Sequence, residues 1–131
     1  MKHLLFVCIE NSNRSQMAEA FARMYGGEGV EVFSAGSSPS GSINPKAVAA
    51  MRDAGYDLTT HSSKSLSEIP EIEFDVVVTM GCGDGCPFVR TKHREDWDIP
   101  DPRSFSPQQF NIVRDLIATK VQRLLEKIHT S

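Results

Sequence analysis

One junction limits what this chain can fold into. Leu4-Leu5-Phe6-Val7 is an apolar run of strand length, and Met17, Ala20, Phe21 and Met24 recur at helical spacing. Between them lies Cys8-Ile9-Glu10-Asn11-Ser12-Asn13-Arg14-Ser15, in which a cysteine and an arginine are separated by five residues. The chain therefore passes from strand through a short loop into a helix. A helix start leaves backbone N–H groups unpaired and aimed at the loop, and their partial positive charge favours a bound anion and a cysteine thiolate. Arg14 adds a planar fork of donors matched to tetrahedral oxyanions such as phosphate or arsenate. Ser15 can donate its hydroxyl to the Cys8 sulfur, while Asn11 and Ser12 can brace the loop by side-chain bonds to its backbone. The expected cradle comprises Glu10, Asn11, Ser12, Asn13, Arg14 and Ser15, with the Glu10 side chain turned to solvent because it would otherwise oppose an anion. A lone cysteine and arginine would read as a buried structural thiol beside a chance cation. Their placement at a strand-to-helix turn makes the loop an anion cradle with a nucleophile at its base.

The rest of the chain supplies the scaffold. Residues 1–7 read as a central strand buried on both faces, and residues 14–25 as a helix ended by Gly26-Gly27. Val30, Val32 and Phe33 make a second strand leading into Ser34-Ala35-Gly36-Ser37, whose small residues let the strand end pass close to the anion loop. Asn44 caps a helix with Pro45 in its first turn and Gly55 as its stop. Residues 57–70 are polar and irregular, with a short helical turn at residues 65–68. The β-branched run Phe74-Asp75-Val76-Val77-Val78-Thr79-Met80 is a third buried strand. Arg90, Lys92, His93 and Arg94 read as a solvated charged face, and Asp96-Trp97-Asp98-Ile99 as a short edge strand. Ser106-Pro107-Gln108-Gln109 is a capping box opening a long helix with Phe110, Val113, Ile117, Val121, Leu124 and Ile128 facing inward.

Strands alternating with helices predict a parallel sheet covered on both faces, with ligands bound beyond the carboxyl ends of the strands. Cys8, Ser34 and Gly81-Cys82 all end strands, so all three fall on that edge. At 131 residues the chain is one domain over residues 1–131, and an apolar fraction of 40% with 24% charged residues is that of an ordinary globular protein. A net charge of −3 without a basic stripe argues against nucleic acid as a partner. The N-terminal apolar run is too short for a signal peptide core or a membrane span, so a cytoplasmic protein without membrane contact is expected.

Three cysteines are an odd number for a structural disulfide framework and point to reduced, catalytic or redox-active thiols. Cys82 and Cys86 lie in Gly81-Cys82-Gly83-Asp84-Gly85-Cys86-Pro87. Residues four apart on a helical turn are about 6 Å apart, within the roughly 4.4–6.8 Å that a disulfide spans. Two pairings stay open: Cys82 with Cys86, or Cys82 with Cys8 on the neighbouring strand end. A zinc site of Cys82, Cys86 and His93 is disfavoured because no second cysteine pair exists. Asp101, before Pro102, could protonate a leaving oxygen near the anion, although an Asp-Pro pair alone signals only a turn. His3 and His61 read as structural, and the five methionines as core.

Cys8 with Arg14-Ser15-Gln16-Met17-Ala18-Glu19, then Ser34-Ala35-Gly36, then Val78-Thr79-Met80-Gly81-Cys82-Gly83, then Asp98-Ile99-Pro100-Asp101-Pro102 span nearly the whole chain in order. Together they resemble the arsenate reductases built on the low-molecular-weight tyrosine phosphatase fold. The resemblance implies an α/β three-layer sandwich, a four-stranded parallel sheet with helices on both faces, and a three-cysteine relay. In that relay Cys8 attacks arsenate while Arg14 and the loop amides hold the oxyanion, and Asp101 protonates the leaving oxygen. Cys82 then attacks the Cys8 sulfur and releases arsenite, and Cys86 resolves the bond to leave a Cys82–Cys86 disulfide. Asn11, Ser15 and Ser34 support the loop. Also implied are thioredoxin or a similar thiol reductant as partner, phosphate or sulfate as competing oxyanions, and a role in arsenic detoxification. No metal or organic cofactor takes part, and a monomer is expected.

Three departures qualify the resemblance. Asn13 stands where many relatives carry a further cysteine. Some relatives bind potassium through residues matching Asn11, Glu19 and Ser34 plus an acidic residue, which here is matched by Lys64; an ammonium there implies potassium-independent activity. The Cys82 to Cys86 spacing is shorter than in many thioredoxin-coupled relatives, so glutaredoxin or a low-molecular-weight thiol stays open as reductant. Two rival functions share these residues: a phosphotyrosine or aryl phosphatase, in which Cys82 and Cys86 have no task, and a non-catalytic thiol redox sensor.

Overall fold

A computed structural model describes residues 1–81 and 89–130. The chain runs β1 (Lys2–Cys8), α1 (Arg14–Gly26), β2 (Val30–Gly36), α2 (Pro45–Asp53), β3 (Phe74–Thr79), β4 (Thr91–Asp96) and α3 (Pro107–Thr130). The four strands form one parallel sheet in the order β2-β1-β3-β4. The chain moves from β1 to one side of it and then, through α2, to the other side, so the topological switch point lies at the end of β1. Register aligns Cys8 with Gly36 and Val7 with Thr79, which brings these strand ends to one edge. Ligands of such sheets bind at that crevice.

Strand alternation sorts the core into two layers. Leu4, Phe6, Cys8, Val32, Val76 and Val78 join the buried residues of α1, α2 and α3, including the inward stripe of α3 as expected from its sequence. Leu5, Val7, Ala35 and Val77 form the second layer, packed by Phe33, Ile69, Ile72, Val89 and Leu66 of a 3₁₀ turn at Leu66–Glu68. Each fully buried Leu, Val, Ile or Phe contributes about 1.5–3 kcal/mol. The helices begin where their caps stand: the Asn44 side chain accepts from Lys46 N at 2.9 Å, and Gln109 N donates to Ser106 Oγ at 3.3 Å. A second 3₁₀ turn at Leu58–Thr60, capped by Asp57, was not foreseen; it buries Leu58 fully.

The fourth strand corrects the sequence reading. It is Thr91–Asp96, inside the charged run, rather than residues 96–99. An edge strand is held by its backbone ladder, and charged outward residues protect it from further pairing, so it shows no apolar alternation. Thr79 Oγ1 donates to Asp96 Oδ1 at 2.8 Å and adds a side-chain tie. Trp97 and Ile99 are buried just beyond the strand, and the Trp97 ring packs 5.9 Å from Phe6.

Candidate active site

Cys8 ends β1, buried, with Sγ 2.9 Å from Ser15 Oγ. The direction of that bond follows from its neighbours. Asn11 Oδ1 accepts from the backbone N–H of Lys64 at 2.9 Å, which fixes its amide so that Nδ2 donates to Ser15 Oγ at 2.8 Å and to Ser34 Oγ at 3.0 Å. With a lone pair of Ser15 so occupied, its hydrogen is available for the Cys8 sulfur. Ser34 passes its own hydrogen to Glu19 Oε1. Asn11, Ser15 and Ser34 are thus joined with Glu19 in one buried hydrogen-bond network beneath the loop. Asn11 is fully buried at φ 52, a left-handed conformation that Asn tolerates better than most residues.

Arg14, the first residue of α1, is only 6% exposed and donates Nη1 to the carbonyl of Ile99 at 2.9 Å. Gly81 passes beneath its guanidinium at φ +77, and a Cβ there would lie 2.3 Å from Nη1. Gly81→Ala is expected to push the fork out of place and to weaken phosphate binding about tenfold, the scale of one charged hydrogen bond, as read by calorimetry. Gly36 makes the other close approach: a Cβ would meet the Ile9 carbonyl at 2.6 Å. The strand end beside the loop is small for that reason. Ser37 N and Ser38 N donate to the carbonyls of Cys8 and Ile9 at 3.2 and 2.8 Å.

Cys8, Ser12, Asn13 and Arg14 line a cavity of about 210 Å³, with Glu10, Asp101 and Arg103 also lining it. Two expectations about this loop change. Ser12 braces the loop through its carbonyl, which accepts from Asn44 N at 3.1 Å, and among the described residues its side chain makes no hydrogen bond. Glu10 is not free in solvent; its Oε2 accepts from Arg103 Nη1 at 2.9 Å. Asn13 is buried, and its Oδ1 has no hydrogen-bond partner among the described residues. Asp101 is exposed, its Oδ1 accepting from Arg103 N at 3.1 Å. Cys82 and Cys86 lie outside the described residues. His93, considered with them as a zinc ligand, bonds Glu95 Oε2 at 3.0 Å. Among the described residues no group of three His, Cys, Asp or Glu side chains could hold a metal.

A second layer of support was not assigned from sequence. Gln16, fully buried, donates Nε2 to Asn11 Oδ1 at 2.8 Å and to Ser62 O at 2.9 Å. Its Oε1 faces His61 Nδ1 at 2.9 Å, and His61 Nε2 faces the Tyr56 hydroxyl at 2.6 Å. Because Oε1 only accepts, Nδ1 carries a proton; in the neutral imidazole that burial favours, Nε2 is bare and accepts from Tyr56. Burial pushes His61 below its ordinary value of 6.5, with the Glu19 carboxylate opposing that shift. Below pH 6.5 the unfolded chain therefore takes up a proton that the folded chain resists, and stability falls; above it this group contributes no slope. Thermal unfolding should show a melting temperature that drops as pH is lowered through this window, with a shallower drop in His61→Gln. The only sequence signal was a glutamine in the first turn of α1, next to the anion loop.

Residues 3–131 match the family described as low molecular weight phosphotyrosine protein phosphatase. The chain belongs to that family. It is 37% identical over 131 residues to the glutaredoxin arsenate reductase of Synechocystis sp., covering 98% of this chain and 99% of that one. Among solved structures, an arsenate reductase in the phosphate binding state superposes with a TM-score of 0.89 at 37% identity, covering 98% and 99% of the two chains. The thioredoxin-dependent arsenate reductase of Corynebacterium glutamicum superposes with a TM-score of 0.81 at 31% identity, over 99% of this chain and 63% of that one. The expected low-molecular-weight phosphatase fold is thus the observed one. Among the described residues no helix is long and apolar enough to cross a membrane.

Proposed function

We propose that this chain reduces arsenate to arsenite through Cys8, Cys82 and Cys86, and so serves arsenic detoxification. The observation that carries the reading is the buried Cys8 thiol, bonded to Ser15 and facing the Arg14 cavity, in a chain that encodes two more cysteines just after β3. The Cys8 thiolate attacks arsenic(V), and a water leaves with a proton from Asp101, giving a thiol–arsenic(V) adduct. Arg14 and the N–H groups at the start of α1 hold the remaining oxygens. The Cys82 thiolate attacks the Cys8 sulfur; as the S–S bond forms, the S–As electron pair stays on arsenic, which leaves as arsenite. Cys86 attacks Cys82, freeing Cys8, and a dithiol reductant reduces the Cys82–Cys86 disulfide by exchange. The relatives' names, one for glutaredoxin and one for thioredoxin, support a protein dithiol in that role and leave the choice between them to the assay.

A second reading, hydrolysis of aryl phosphates, is favoured by the family's phosphatase chemistry and needs only Cys8, Arg14 and Asp101. One experiment separates the two: arsenate-dependent NADPH consumption through thioredoxin reductase and thioredoxin, or through glutathione and glutaredoxin, beside hydrolysis of an aryl phosphate. Rapid arsenate turnover with slow hydrolysis is the expected result, and hydrolysis without arsenate turnover overturns the proposal.

Potassium is not required on this reading. Lys64 Nζ sits 3.8 Å from Glu19 Oε1 and donates to Ser62 O at 2.9 Å, while Arg23 Nε pairs with Glu19 Oε2 at 2.8 Å. These cations supply the charge that a bound metal would bring to the buried carboxylate. Replacing sodium by potassium at constant ionic strength should leave turnover unchanged; strong, potassium-specific activation would refute it.

A further inference from the structure

The mouth of the oxyanion cavity carries a charge arrangement that the reaction above does not use. Glu10 is the one carboxylate among residues 8–15, and it lines the same cavity as Cys8 and Arg14. A dianion entering there meets a like charge, which repels it at these separations. Arg103 answers that charge. Its Nη1 donates to Glu10 Oε2 at 2.9 Å, its Nη2 lies 3.6 Å from Asp101 Oδ2, and its backbone N donates to Asp101 Oδ1 at 3.1 Å. One guanidinium thus joins segments 93 residues apart in the chain, one carrying the nucleophile and one carrying the expected acid.

We propose that Arg103 is a positioning residue of the oxyanion site that acts through Glu10, cancelling the carboxylate of the anion loop and tying that loop to the segment that bears Asp101. The proposal rests on reading residues 8–15 as an oxyanion cradle, and it holds whether arsenate or a phosphoester is the substrate. A planar fork suits the task, because two donor groups can face two carboxylates at once where an ammonium offers a point charge. The pair is partly exposed, with Arg103 63% and Glu10 34% accessible, so its influence on the anion should be screened by salt.

The test is a double-mutant cycle read by calorimetric titration of the reduced chain with inorganic phosphate. Arg103→Ala should weaken phosphate binding about fivefold at low salt, and the loss should shrink as ionic strength rises. Glu10→Gln, which removes the like charge from the cradle, should bind phosphate more tightly than the unaltered chain, and the double variant should recover most of what Arg103→Ala loses. Arg103→Lys, which keeps the charge but not the fork, should fall between Arg103→Ala and the unaltered chain. Unchanged binding in Arg103→Ala overturns the proposal. So does a double variant as weak as Arg103→Ala, which would mean that the guanidinium touches the anion directly. Failure of the unaltered chain to bind phosphate would remove the cradle reading itself, whereas failure to reduce arsenate removes only the proposed reaction.

Discussion

Cys8→Ser is expected to abolish arsenate reduction and aryl phosphate hydrolysis together, by at least about 10³-fold, while leaving phosphate binding within about threefold, as for loss of a covalent nucleophile from an otherwise intact site. A serine hydroxyl at this position keeps its proton at neutral pH, so the Ser15 hydroxyl and the N–H groups at the start of α1 have no anionic nucleophile to stabilise. The binding groups do not depend on the sulfur. Arg14 is anchored by the Ile99 carbonyl, and Asn11 holds the loop through Lys64 N, Ser34 and Gln16. Stability should change little, because Ser15 Oγ lies 2.9 Å from the sulfur and offers the new hydroxyl a partner. Activity assays beside a phosphate titration and a melting curve check all three statements. Phosphate affinity lost in parallel with activity would mean that the substitution disrupts the cradle, and the nucleophile would then need another assignment.

Why some of this site is legible in the sequence and some is not follows from chain separation. Cys8, Asn11, Arg14 and Ser15 lie within eight consecutive residues, so one strand-to-helix turn brings them together before any tertiary packing is considered. The caps at Asn44 and Ser106 and the inward stripe of α3 are equally local, set by side-chain chemistry within a few residues or by helical period. β4 is not local in that sense. Its order comes from a backbone ladder to β3, which any residue but proline can make, and its charged side chains mask it. The braces from Gln16 to His61 and from Glu10 to Arg103 span 45 and 93 residues, and nothing in the residues between them encodes the contact. Glu10, 34% accessible, was expected to face solvent, and its pairing with an arginine far along the chain could not be read from the loop for the same reason. Ser34 was placed on the binding edge by its position at a strand end, but its supporting role came only through resemblance, since it depends on β2 lying beside β1 so that the hydroxyl can bridge Asn11 and Glu19.

The second large effect concerns the two cysteines beyond β3. Cys86→Ser is expected to release about one arsenite per chain and then stall, whereas Cys82→Ser releases essentially none, as thiol exchange requires. The difference lies in where each thiol acts. Reduction of arsenic(V) needs a second sulfur to take the Cys8 sulfur as its electrophile, and without Cys82 the thiol–arsenic adduct lacks the thiol that the relay assigns to that step. Without Cys86 that step still occurs, but the Cys8–Cys82 disulfide stays closed. A burst experiment with stoichiometric protein, arsenite quantified chemically and thiols titrated before and after, reads both outcomes. The chain holds three cysteines, so Cys86→Ser begins with two thiols and should end with none. The unaltered chain should begin with three and end with one, the regenerated Cys8. Adding the dithiol reductant in excess should restart the unaltered chain at once and Cys86→Ser only slowly, since Cys8, which the reductant must free, is 3% exposed. Multiple turnovers by Cys86→Ser at the rate of the unaltered chain would mean that the reductant reaches Cys8 or Cys82 directly, and the relay would then have two stations rather than three.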